Sequence, residues 1–236
     1  MRIMDGQLVA FMGDSITEHL VAVNDWMETQ TDGLPPIGTQ VHVDRHEHRG
    51  WTSILANRIN LAYPERRIRY VNAGIGGNSS RQMLVRFDAD ILSHKPQWLL
   101  LSAGIVEVRR TYQPERASEK APLDEYVDNL TTMISEALNV GTQVILLEPT
   151  PHVRTVTDGP PAVTLQDINN LTRQYATAMA QVAQERQVGF VPLFEKFLEI
   201  ENRLTGKVSL YADEVHLNAR GDLLYSQLVY QYLDVH

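Results

Sequence analysis

The chain of 236 residues contains no cysteine. A disulfide, a thiolate nucleophile and a cysteine-ligated metal site are therefore excluded. Clusters of lysine and arginine are also missing, and the formal net charge is −8. Because phosphate backbones are bound by clustered basic residues, no nucleic-acid partner is expected. No apolar run approaches the length of a membrane span.

The residues before the first apolar run, Met1 to Gly6, contain no signal-peptide core. We therefore expect a cytoplasmic protein, or the mature form of a protein whose signal has been removed. No repeat, low-complexity segment or linker divides residues 1–236. This length suits one α/β domain with a sizeable core, so a single domain is expected.

Short apolar segments alternate with amphipathic ones along the chain. Predicted strands cover residues 8–12, 68–73, 98–102, 143–148 and 188–191, and predicted helices cover 51–61, 80–93, 123–138, 165–185, 192–204 and 219–233. Strands that alternate with helices form parallel sheets covered on both faces, and right-handed crossovers favour three layers. The pattern predicts an α/β fold, a three-layer α/β/α sandwich around a mainly parallel five-stranded sheet.

The first predicted strand ends at Gly13-Asp14-Ser15, a turn signal that can open a helix. A serine at the carboxyl end of a parallel strand lies where open α/β sheets bind their ligands. Its backbone N–H, at a helix start, can face an anion. This position suits a nucleophile, and the alternative is that Ser15 only caps the helix.

A serine nucleophile needs a base, a group that orients the base, and donors for the oxyanion. Among the eight histidines, His216 follows Asp213 by three residues, just before the last predicted helix. A carboxylate at this spacing can fold back onto the imidazole Nδ1–H and leave Nε2 for the serine. A capping aspartate beside a surface histidine would give the same pattern.

Taken together, the Gly-Asp-Ser turn at Ser15, Gly77 after the second strand, and Asp213-x-x-His216 resemble the GDSL esterases of the SGNH hydrolase superfamily. The resemblance covers nearly the whole chain and implies a flavodoxin-like fold. It implies Ser15 as nucleophile, His216 as base and Asp213 as the group that orients it. It also implies that the backbone N–H groups of Ser15 and Gly77 form two parts of the oxyanion hole, with no metal or organic cofactor.

One block departs from this resemblance. The family usually has Gly-x-Asn-Asp, with the asparagine amide as third oxyanion donor, whereas this chain has Gly104-Ile105-Val106-Glu107. Loss of one such donor lowers turnover about 10²–10³-fold in other serine hydrolases. We therefore expect Val106 at the end of the third strand, facing the cleft, and expect Val106→Asn to raise kcat. The alternative is that Asn78 or a neighbouring group already supplies the donor.

Several residues near these blocks are candidate cleft residues. The candidate substrate contacts are Asp14, Asn78, Glu107 and Trp51, while Arg81, Arg109, Arg110, Tyr112 and His152 either line the cleft or are ordinary surface and core residues. A polar stretch also carries His42, Asp44, His46 and His48 at alternating positions. It is either a solvated loop or a metal site, and because it matches no zinc-binding spacing, no metal is predicted.

The sequence thus predicts a serine-dependent carboxylic-ester hydrolase that acts through an acyl-serine intermediate. By resemblance, its substrates are small molecules or carbohydrates that carry short acyl esters, such as acetylated sugars. Two alternatives stay open. One is a lipase- or thioesterase-type acyl hydrolase, and the other is a weakly active or inactive binding protein on the same scaffold, because Val106 replaces the usual asparagine.

Overall fold

A single parallel sheet organises the computed structural model, which describes residues 3–18, 50–155, 163–204 and 208–235. The strands lie in the order β2-β1-β3-β4-β5, and every neighbouring pair is parallel. Their bounds are β1 (Leu8–Gly13), β2 (Arg69–Gly74), β3 (Trp98–Ser102), β4 (Gln143–Leu147) and β5 (Gly189–Val191). The predicted α/β sandwich around a five-stranded sheet is confirmed.

Helices connect and flank these strands. They are α1 (Ser15–Glu18), α2 (Trp51–Ala62), α3 (Ser80–Asp90), α4 (Ile105–Thr111), α5 (Leu123–Asn139), α6 (Leu165–Arg186), α7 (Phe194–Arg203) and α8 (Ala219–Val235), with short 3₁₀ segments at Leu92–His94 and Pro114–Glu119. Within the described ranges, none of these helices is long and apolar enough to cross a membrane.

The sheet is apolar on both faces, because successive side chains of each strand alternate between them. Phe11 of β1 belongs to a core that includes Leu55 of α2, Phe197 of α7 and Tyr225 of α8. The next residue, Met12, points to the opposite core, which includes residues of α3, α5 and α6. Two helical layers therefore enclose the sheet, as parallel sheets require.

The chain leaves β1 toward β2 on one side and later returns to place β3 on the other side. In open α/β sheets, ligands bind at such a switch point, in the crevice beyond the carboxyl ends of the strands. The segments that follow β1, β2 and β3 all start at this edge. They carry Ser15, Gly77 and Val106, respectively.

The structure differs from the sequence prediction after β3, where no helix was predicted between residues 102 and 123 and Val106 was expected at the end of the strand. Residues Ile105–Thr111 instead form α4, and Pro114–Glu119 form a 3₁₀ segment. Helix α4 buries both Ile105 and Val108, which belong to the cores on opposite faces of the sheet. With seven residues it is too short for its periodicity to stand out among the charged residues around it.

Candidate active site

Ser15, His216 and Asp213 are joined by hydrogen bonds. Ser15 Oγ lies 2.8 Å from His216 Nε2, and His216 Nδ1 lies 2.7 Å from Asp213 Oδ2. When Nδ1–H donates to the carboxylate, Nε2 carries no proton and accepts the hydroxyl of Ser15. In this geometry, His216 Nε2 can take the proton from the Ser15 hydroxyl as its oxygen attacks a carbonyl carbon.

A tight loop between α7 and α8 holds the acid and the base. The Ala212 N–H donates to the His216 carbonyl at 2.8 Å. Asp213 Oδ1 accepts the N–H groups of Val215 at 2.9 Å and of His216 at 2.7 Å. Burial alone would raise the pKa of Asp213, but these two N–H groups and the imidazole outweigh it and hold the pKa below its usual value. The carboxylate is therefore charged where it orients the imidazole.

Asp14, not Ser15, caps the helix that follows β1. Asp14 Oδ1 accepts the Ile16 N–H at 2.9 Å, and the Asp14 carbonyl accepts the N–H groups of Thr17 and Glu18. Burial raises the pKa of Asp14 to about 7, against the lowering effect of the Ile16 N–H. Because Asp14 performs the capping, the Ser15 hydroxyl is directed to His216 instead.

A cavity of about 380 Å³ opens over Ser15 and His216. Volumes of this order are typical of small-molecule sites. The side chains of Ile105, Val106 and Val215 form the apolar part of its lining. The polar part consists of three arginines and a glutamine, and two glycines complete the lining: Arg109, Arg110, Arg116, Gln113, Gly76 and Gly77.

The oxyanion candidates Ser15 and Gly77 meet at this cavity. Gly77 has a φ of +74°, a left-handed conformation that glycine adopts without strain. The turn before it is tied to β1, because the Ile75 N–H donates to the Gly13 carbonyl at 3.1 Å. Val106 also lines the cavity, from the first turn of α4 rather than from the strand end. Its side chain adds an apolar wall and no donor.

The structure brings none of the four candidate substrate contacts to the lining of this cavity. Asp14 caps α1, as described above. Trp51 is fully buried in the core, where its ring stacks on Tyr225 with centroids 4.5 Å apart. The Asn78 side chain turns away, and its Oδ1 accepts from Arg86 Nε at 2.8 Å. Because Asn78 is also not among the residues that line the cavity, its amide does not replace the missing donor. Glu107 points behind the cavity, as described next.

Glu107 is fully buried and holds the start of α3. Its Oε1 accepts the Ser80 N–H at 2.6 Å. Burial raises the pKa of Glu107, and the Ser80 N–H opposes that shift. The carboxyl group thus serves the packing of two helices, and it does not compete for the space beside Gly77.

Helix α4 contributes a basic wall to the cavity, so its arginines line the cleft, which was one of the two alternatives from the sequence. Arg109 and Arg110 line the cavity, as do Gln113 and Arg116, which were not singled out. By contrast, Arg81 pairs with Glu125 outside the cavity, and Tyr112 and His152 are not among its lining residues. The available signal was the spacing of three and four residues between Val106 and the two arginines, which places them on one face of a helix.

The histidine-rich stretch with His42, Asp44, His46 and His48 lies outside the described residues. Across residues 3–18, 50–155, 163–204 and 208–235, no three acidic or histidine side chains are grouped so that they could hold a metal ion.

Comparison with known proteins identifies the family of the chain. Residues 11–224 match the GDSL-like Lipase/Acylhydrolase family. An acetylxylan esterase from Geobacillus stearothermophilus is 28% identical over 225 residues, which are 95% of this chain and 92% of that protein. A crystal structure of a catalytic serine-to-alanine mutant of the acetylxylan esterase Axe2 from the same organism is 25% identical, covers 99% of this chain and 96% of its own, and has a TM-score of 0.78.

Further solved structures extend the likeness. A catalytic mutant of Axe2 with a histidine replaced by alanine matches with a TM-score of 0.77 at 24% identity, over 99% of this chain and 96% of that chain. LAE5, an α/β hydrolase from a lake metagenome, matches with a TM-score of 0.73 at 21% identity, over 99% and 95% of the two chains. Both structures are less than 25% identical to this chain and show the fold alone. The chain therefore belongs to the GDSL-like lipase/acylhydrolase family and is a carboxylic-ester hydrolase.

Proposed function

We propose that this hydrolase removes short acyl groups, acetyl above all, from hydroxyl groups of carbohydrates through an acyl-serine intermediate. The observation that carries the proposal is the continuous hydrogen-bonded chain from Asp213 through His216 to Ser15, which ends at the cavity. The similarity to acetylxylan esterase supports the acetylated carbohydrate as substrate.

Catalysis runs in two halves. Ser15 Oγ bonds to the ester carbon while its proton moves to His216 Nε2, and the carbonyl π electrons move onto the oxygen. The N–H groups of Ser15 and Gly77 donate to this oxyanion. On collapse, the bond to the alcohol oxygen breaks and the alcohol leaves with the proton from Nε2. Water then repeats the sequence on the acyl-serine and releases the acid, while Asp213 stabilises the transient imidazolium.

The two sides of the cavity suit the two parts of such a substrate. Val106 and Val215 offer an apolar surface to a small acyl group, and the guanidinium of Arg109 offers N–H donors to sugar hydroxyls. A volume of about 380 Å³ is sufficient for an acetylated sugar unit.

The test measures acetate release from acetylated xylooligosaccharides and hydrolysis of p-nitrophenyl esters of two, four and eight acyl carbons. We expect acetate release, and kcat/KM for the esters that is highest for acetyl. Ser15→Ala, which removes a single hydroxyl, is the matched control and should abolish both activities. Hydrolysis of p-nitrophenyl acetate without acetate release would contradict the carbohydrate substrate, and preference for the eight-carbon ester would favour the lipase alternative.

A further inference from the structure

Arg110 presents a buried guanidinium to the cavity. Its side chain is 4% exposed, and its Nε donates to Glu119 Oε2 at 3.0 Å. Nη1 donates to Gln113 Oε1. No acceptor within the described ranges is bonded to Nη2. Two of its three nitrogens are thus held by the protein, and the third is available at the cavity wall.

The available Nη2 lies beside Gly77. A Cβ atom added to Gly77 would come within 3.0 Å of Arg110 Nη2. The N–H of Gly77 is the second proposed oxyanion donor, so a charged donor stands next to the position where negative charge develops. Apart from the two chain neighbours of Gly77, the described residues bring only one other atom within 4 Å of that Cβ, a nitrogen of Arg116 at 3.9 Å.

Helix geometry explains why Arg110 reaches this place. Val106 and Arg110 are four residues apart on α4, so their side chains share a face. Long side chains on a helix lean toward its N-terminus, over the preceding turn. The guanidinium of Arg110 therefore extends toward the turn that carries Val106. It reaches the region where the family places an asparagine amide.

We propose that Arg110 is the third oxyanion donor of this enzyme and replaces the amide that is missing at Val106. Nη2–H donates to the ester oxygen as the tetrahedral intermediate forms, together with the N–H groups of Ser15 and Gly77. Glu119 and Gln113 keep the guanidinium plane in place, so little reorganisation is needed during the reaction. The inference rests on the acyl-serine mechanism proposed above.

The electrostatics of the wall agree with this role. Burial lowers the pKa of Arg110, the nearby Arg116 lowers it further, and Glu119 opposes both. A guanidinium keeps its proton at neutral pH in proteins even so. A buried cation of this kind gains stabilisation from an anion that forms beside it, and such an anion exists only in the intermediate and the flanking transition states.

The first experiment compares Arg110→Met with the wild type on p-nitrophenyl acetate, a neutral ester. We expect kcat to fall about 10²-fold or more, as on loss of an oxyanion donor, with little change in KM. Arg81→Met is the matched control, because Arg81 also pairs with a glutamate, Glu125, but lies outside the cavity. Its kcat should equal that of the wild type. A kcat for Arg110→Met within about 3-fold of wild type would overturn the proposal.

The second experiment uses Val106→Asn in both backgrounds. If Arg110 already supplies the third donor, the amide should change the wild-type kcat by less than about 3-fold and raise that of Arg110→Met at least about 10-fold. A gain of about 10²-fold in the wild-type background alone would show an unfilled donor position and overturn the proposal. This single-variant measurement decides the question even if Arg110→Met does not fold.

A third comparison separates the oxyanion from a charged substrate group. If Arg110 instead binds a carboxylate of the substrate, Arg110→Met should raise KM for p-nitrophenyl hemisuccinate and leave kcat for the acetate ester intact. That result would overturn the oxyanion role. The Ser15→Ala variant distinguishes this failure from failure of the proposed function. If Ser15→Ala is inactive and Arg110→Met is unimpaired, only the role of Arg110 is contradicted. If Ser15→Ala stays active, the acyl-serine mechanism itself is contradicted.

Discussion

Replacing Asp213 by asparagine probes how the acid controls the base. In the native site, Asp213 Oδ1 accepts two backbone N–H groups, from Val215 at 2.9 Å and His216 at 2.7 Å, and Oδ2 accepts from His216 Nδ1. An asparagine must keep its carbonyl oxygen on the two backbone donors. Its NH₂ group then faces Nδ1, where the native site has an acceptor.

Two donors cannot share a hydrogen bond, so the imidazole must switch tautomer. Nδ1 then accepts from the amide, and Nε2 carries the proton and faces Ser15 Oγ, 2.8 Å away. Nε2 can no longer take the serine proton. In a serine protease with the same acid-to-amide change, the wrong tautomer lowers kcat about 10⁴-fold. We expect a loss of that order here, because the backbone donors leave the amide only one orientation.

The assay is steady-state hydrolysis of p-nitrophenyl acetate by Asp213→Asn. Asp128→Asn, on the exposed side of α5, is the matched control, since it removes one negative charge from a residue that does not line the cavity. We expect the loss in kcat, with thermal unfolding close to wild type. A kcat for Asp213→Asn within about 10-fold of wild type would refute the tautomer argument and the role of Asp213.

Two further predictions concern pH and metal ions. Asp222 is 6% exposed, accepts the Trp51 N–H at 3.2 Å, and has its pKa raised by burial from 3.8 to about 7. Between these two pKa values the folded state keeps this proton, whereas the unfolded chain has lost it. The resulting stabilisation is complete below pH 4 and is lost as pH rises through 7. The loss in the free energy of unfolding is on the order of 4 kcal/mol, at 1.36 kcal/mol per pKa unit. Asp222→Asn should remove this loss, which urea unfolding of the wild type and the variant at pH 4 and pH 8 measures. The same change in unfolding free energy between the two pH values for both proteins would contradict the prediction. Exhaustive chelation should leave ester hydrolysis unchanged, because the triad needs no Lewis acid; a loss that zinc restores would give the stretch from His42 to His48 a catalytic part.

The fold was predictable because its signals are local and repeated. Each strand is a short apolar run, and the helices α5 and α6 have long amphipathic patterns with clear ends. The same logic that places ligands at strand ends directed attention to Ser15. Asp213 and His216 stand three residues apart, so their mutual contact could be anticipated from spacing, whereas their contact with Ser15 came from the family resemblance.

The remainder of the site depends on side-chain directions that tertiary packing decides. Trp51 opens a helix near the cleft, but the apolar core under that helix takes its ring. Asn78 adjoins Gly77, yet the guanidinium of Arg86 holds its amide oxygen. Arg110 looks like a surface residue in sequence, and its burial depends on Glu119, nine residues later, which pairs with it. No sequence pattern indicates the contacts of Trp51 and Asn78, whereas for Arg110 the four-residue spacing from Val106 indicates a shared helix face but not the burial.

Covalent labelling with an organophosphonate tests the central claim, the nucleophilic role of Ser15, most directly. After trypsin digestion, Ser15 is the only serine in the peptide of residues 3–45, so mass spectrometry can locate the adduct. We expect one adduct per chain, on Ser15, with parallel loss of ester hydrolysis, and no adduct on Ser15→Ala. An adduct on another residue, or labelling of Ser15→Ala at the wild-type rate, would contradict the account.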